Sequence, residues 1–77
     1  MTEQFSEQDF QDLRDEYERQ TTKHKRLPHS DLLCQAVLSE ECGEVARAVL
    51  DAPPTKEHLK EELLQVACFA IRWRASL

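Results

Sequence analysis

Three prolines and a single glycine are all the strong chain-breakers in 77 positions, and their placement restricts the folds open to the chain. An all-β domain needs turn signals every ~8–12 residues, more than this supply can furnish. Pro28 and the consecutive Pro53-Pro54 instead divide the chain into three uninterrupted stretches. Each stretch opens on a residue whose side-chain oxygen suits a helix N-cap: Ser6, Ser30 and Thr55. In the first, Phe10, Leu13 and Tyr17 follow the i, i+3, i+7 spacing of one helix face. Glu7 and Asp9 at its start, with Lys23, Lys25 and Arg26 at its end, suit the helix dipole. The expectation is an all-α fold in one domain over residues 1–77, with helices at about 6–25, 30–50 and 55–76. Asp51-Ala52-Pro53-Pro54 should stop the second helix. A connection this short makes its flanking helices antiparallel neighbours, so the unit is an N-terminal helix plus an αα-hairpin.

Length and charge narrow the partners. A chain of this size buries only roughly 60% of its unfolded surface. Self-association into a homodimer or homotetramer is the expected completion of the bundle. The 40% hydrophobic content is too high for a disordered chain. A formal net charge of −5 repels phosphate backbones and argues against a nucleic-acid polymer as partner. Cys34, Cys42 and Cys68 are odd in number and never spaced C-x-x-C, so they read as reduced, core or near-core residues. The opening MTEQFSEQDF has neither the basic nor the apolar region of a secretory signal, and no apolar run approaches ~18 residues. No membrane association and a cytoplasmic location are expected.

Helical-wheel geometry singles out carboxylates. With Leu38 as centre, Cys34, Cys42, Val45 and Val49 fall within about ±40°, and Glu41 lies about 60° away on the shoulder of that arc. Glu44 lies about 60° further round. In the third helix Leu59, Val66, Ala70 and Leu77 cluster about Leu63, while Glu62 sits about 100° away beside Phe69 and Trp73. Glu41/Glu44 and Glu62/Gln65 share the i, i+3 spacing that puts side chains on one side of a helix. About Pro53 as hairpin centre, Glu44 pairs in height with Glu62, and Glu41 with Gln65. Carboxylates in a partly apolar setting need compensation. Clustered carboxylates without His or Cys favour a hard divalent cation, Mg²⁺ first and Mn²⁺ as the alternative. The plainer reading is a solvated glutamate face that includes Glu40, Glu57 and Glu61. A di-iron bundle would want Glu-x-x-His, and no His lies three after any of these four residues.

The stretch Ser39-Glu40-Glu41-Cys42-Gly43-Glu44-Val45-Ala46 resembles the E-E-x-x-E element of the MazG-like, all-α nucleoside triphosphate pyrophosphohydrolases. Glu61-Glu62-Leu63-Leu64-Gln65-Val66-Ala67 resembles their second element, E-x-x-D, one helical hairpin later. The resemblance covers about Asp31 to Leu77, with weaker support from Tyr17 to His24, and is nearest to the short MazG-like branch with a Trp after the second element. It implies an obligate helical oligomer and Mg²⁺-dependent conversion of a (deoxy)nucleoside triphosphate to monophosphate and pyrophosphate, as in house-cleaning of non-standard nucleotides. It assigns Glu41, Glu44 and Glu62 to metal and catalysis, and Glu40 to an additional or supporting role. Gln65 stands where the family has Asp, and an amide oxygen can ligate Mg²⁺ but brings no charge and no base. The alternative is therefore a catalytically impaired nucleotide-binding or helical oligomerisation module.

Substrate contacts are candidates of a second rank. Lys23, within Lys23-His24-Lys25-Arg26, together with Lys56 and Lys60 can meet phosphate, and Trp73 can stack on a base. Each also has a structural reading: cations completing a helix end, i, i+4 pairing with Glu57 and Glu61, and a Trp packed at a core or interface. His24, His29 and His58 read as surface residues, and Phe5 and Phe10 as simple packing.

Overall fold

The computed structural model describes residues 3–50 and 55–77, and among them it forms three α-helices and no strand. They are α1 (Glu7–Lys23), α2 (Asp31–Leu50) and α3 (Lys56–Ser76). The helix stop assigned to Asp51, Ala52, Pro53 and Pro54 lies outside the described residues. No helix among the described residues is long and apolar enough to cross a membrane.

All three N-terminal caps form. Ser6 and Asp9 make a reciprocal capping box: Asp9 N–H donates to Ser6 Oγ at 3.1 Å, and Ser6 N–H donates to the Asp9 carboxylate at 2.9 Å. That contact holds the Asp9 carboxyl below its ordinary range. Leu33 N–H donates to Ser30 Oγ, and His58 N–H to Thr55 Oγ1, each at 3.2 Å.

α3 is the central element, with α2 packed on one side and α1 on another. α2 and α3 are antiparallel. Trp73 near the end of α3 donates from Nε1 to Asp31 Oδ1 at the start of α2, 2.9 Å away, while Glu44 and Glu62 meet nearer the hairpin connection. α1 runs parallel to α3. Asp9 faces the charge of Lys60 near the start of both helices. Further along, Gln20 donates to the Gln65 carbonyl at 3.3 Å, and Arg72 donates to the His24 carbonyl at 2.7 Å.

The inward faces differ from those the apolar spacing predicts. On α2 the buried residues are Cys34 and Ala48, with Val37, Leu38, Glu41 and Val45 half-buried, whereas Cys42 and Val49 are exposed. The inward arc is thus rotated by about 50° and has Glu41 near its middle instead of on its shoulder. Cys42 is correspondingly not a core residue, although all three cysteines are free thiols. On α3 the buried residues are Cys68, Phe69 and Arg72, while Leu63 is 50% exposed and Leu59, Val66 and Ala70 are half-buried, so the arc drawn about Leu63 lies at the edge of the buried sector. The cause is the central position of α3. Partners on two sides bury a wide sector, and its middle carries Gln65 and Arg72. On α1 the buried residues are Glu16 and Gln20, while Phe10 and Tyr17 of the predicted stripe are exposed.

Candidate metal centre and adjoining cavity

α2 and α3 bring Glu41, Glu44 and Glu62 together, so that one carboxylate oxygen from each lies within 4.8 Å of the other two. The i, i+3 spacing on α2 and the antiparallel register on α3 produce this meeting. Glu44 is exposed, Glu41 is half-buried, and the Glu62 side chain is only 13% exposed. Glu41 Oε2 and Glu62 Oε2 are shielded from solvent and accept no hydrogen bond from the described residues. A buried acceptor without a donor is costly, and three converging carboxylates add repulsion.

Both effects show in proton affinity. Burial pushes the Glu41 carboxyl above its ordinary range, and the charges of Glu44, Glu62, Glu40 and Glu16 push it further. Burial likewise raises Glu62, followed by the charge and direct approach of Glu44. His58 Nε2, 3.8 Å from Glu62 Oε1, offsets this in part. A divalent cation supplies what the site lacks, a positive charge between hard oxygen donors, so the residues fit Mg²⁺ or Mn²⁺.

Glu41 also lies on the wall of a cavity of about 660 Å³ between the end of α1, the connection to α2, and the facing sides of α2 and α3. Gln65, half-buried, lines the same cavity, and so does exposed Lys23. Glu40 is exposed and contributes charge to Glu41. Lys56, Lys60 and Trp73 do not line this cavity. Lys56 is the exposed first residue of α3, Lys60 lies on a separate groove between α1 and α3, and Trp73 is tied to Asp31. His24 and His29 are exposed, as the sequence implies, but both border the cavity.

A polar network on α1 and α3 escapes the sequence reading. Buried Glu16 accepts from Arg19 at 2.8 and 2.7 Å and from Gln20 at 2.8 Å. The Arg19 contact holds the Glu16 carboxyl below its ordinary range against the effect of burial. Glu16 and Arg19 lie off the apolar stripe, and Gln20, seven residues after Leu13, continues it with a polar side chain, so apolar periodicity conceals all three. Arg72 carried a usable signal, as a lone charge inside the apolar run from Val66 to Trp73.

Compared with known proteins, the chain matches no family model, no curated protein and no solved structure.

Proposed function

We propose that the chain is a Mg²⁺-dependent pyrophosphohydrolase of (deoxy)nucleoside triphosphates, acting as a self-associated helical bundle. The observation that carries this reading is the convergence of Glu41, Glu44 and Glu62 with two of their oxygens buried and unpaired beside a nucleotide-sized cavity. The resemblance of the Ser39–Ala46 and Glu61–Ala67 stretches to the MazG-like elements supports the same chemistry. Glu41, Glu44 and Glu62 would hold the cation, with the Gln65 amide oxygen as a neutral fourth donor and Glu40 adding charge nearby. The bound ion would supply charge neutralisation to the phosphates and acidify water. Glu41 or Glu62 would take the proton of an attacking water.

Gln65 favours a second reading, in which the chain binds nucleotide without turning it over. One assay separates the two: pyrophosphate release from a nucleotide panel with Mg²⁺. The wild type should release pyrophosphate, and Glu41→Gln should lower the rate by about 100-fold or more. Equal rates for the two proteins sink the enzymatic reading. A silent wild type whose turnover is restored by Gln65→Asp establishes the binding reading with a decayed site.

A further inference from the structure

Six basic or imidazole side chains gather round the 660 Å³ cavity in a chain whose formal net charge is −5: Arg19, Lys23, His24, Arg26, His29 and Arg72. Five of them lie within residues 19–29, at the end of α1 and in the connection to α2, and folding adds Arg72 from α3. Lys23, His24, Arg26 and His29 are exposed at the rim. Arg72 is 7% exposed and donates to the His24 carbonyl, which fixes the end of α1 against α3.

Gln20 adds an independent observation. It is 8% exposed and lines the same cavity. Its Nε2 donates to Glu16 Oε2 at 2.8 Å and to the Gln65 carbonyl at 3.3 Å. Flipping the amide would set its oxygen against two acceptors, so the orientation is determined by its partners. Oε1 is left buried with no donor. The cavity is therefore ringed by cations, and Gln20 on its wall holds one shielded acceptor with no donor among the described residues.

We infer that this cavity binds a phosphorylated ligand within one chain and without a metal ion, the phosphates meeting Lys23 and Arg26 at the rim and a donor group of the remaining ligand satisfying Gln20 Oε1. The inference rests on the proposed function only in taking the ligand to be a nucleoside triphosphate. The pocket adjoins the carboxylate cluster through Glu41, which sets the phosphate chain beside the proposed metal centre. Anion affinity here comes from this chain's own cations, so it should persist in chelator and weaken with salt.

The test is calorimetry on the intact chain in EDTA, with inorganic triphosphate and with nucleoside triphosphates. Both should bind, and at least one nucleotide should bind about tenfold more tightly, the order expected from satisfying one buried acceptor. Lys23→Ala/Arg26→Ala, at two exposed positions that leave the fold intact, should weaken both ligands about tenfold or more. Arg47→Ala/Arg74→Ala removes the same charge away from the cavity and should leave both affinities unchanged. The proposal is overturned by absence of binding in EDTA, by equal losses in the two double variants, or by inorganic triphosphate binding as well as every nucleotide. Glu44→Gln keeps the outcomes distinct: it should abolish pyrophosphate release while preserving metal-free binding. A failed catalytic reading leaves the pocket measurable, and a failed pocket leaves Glu41-dependent turnover measurable.

Discussion

Glu41 and Glu62 hold protons more tightly in the folded chain than the ordinary carboxyl value of 4.5. The sign of the resulting linkage is opposite to that of a salt-bridged acid. Between 4.5 and their raised values the folded state binds more protons than the unfolded one, so stability falls as pH rises through that window. Glu16 and Asp9 act in the other direction and lower down, below 4.5 and 3.8, where their partnered carboxylates lose stability as pH falls. The groups facing Glu41 are Glu44, Glu62, Glu40, Glu16 and Arg19, and those facing Glu62 are Glu44, Glu61 and His58. The metal-free melting temperature should accordingly rise as pH is lowered through the raised values of Glu41 and Glu62 toward 4.5. Mg²⁺ should raise it more at the higher pH, where the carboxylates are ionised. His58→Asn, which removes the titratable partner of Glu62, should preserve the trend. Thermal melts in chelator and in Mg²⁺ measure both effects. A melting temperature that stays level or drops on acidification over that range removes the strained carboxylate cluster from the description.

At the scale of the elements, helix existence and N-terminal boundaries were legible because they depend on local chemistry. Ser6, Ser30 and Thr55 cap where their oxygens predict, and α1 stops at Lys23, two residues short of the expected end. Rotation about each helix axis was not legible, because it depends on which neighbours a helix has. Leu63 looks like the centre of a packing face until α3 is seen to be covered from two other directions. The register of the hairpin was legible in part: equal spacing about Pro53 anticipates the meeting of Glu44 with Glu62, and the structure extends the same register to Asp31 and Trp73. That last contact gives Trp73 work as a fastener between the far ends of α2 and α3. Trp73→Phe keeps most of the ring but removes the donor to Asp31. It should lower unfolding stability by about 1 kcal/mol and leave nucleotide affinity unchanged. Denaturant unfolding alongside a binding isotherm checks both halves. A loss of affinity without a loss of stability would return Trp73 to the ligand.

Across the whole molecule the arrangement is inverted relative to a self-sufficient bundle. The buried apolar residues among those described are Cys34, Ala48, Cys68 and Phe69, whereas Glu16, Gln20 and Arg72 are buried beside them. Phe10 and Tyr17 on α1, Val49 on α2 and Leu63 on α3 are each substantially exposed. Turning polar groups inward is compatible with a binding site between the helices, but it withdraws apolar area from the core that would stabilise one copy. In the proposed self-associated bundle, the exposed apolar residues would be the surface through which a second copy restores that area. No neighbouring side chain comes within 4 Å of a Cβ built at Gly43, so packing within one chain does not explain the glycine. If assembly completes the core, the melting temperature should rise with chain concentration, because association favours the folded state by mass action. Leu63→Glu puts a charge at a half-exposed apolar position. It should therefore leave helix content of the single chain largely intact, shift sedimentation toward the monomer, and abolish the concentration dependence. A wild type that sediments as a monomer with a concentration-independent melting temperature would mean that the buried and half-buried residues of one copy suffice to hold three helices together.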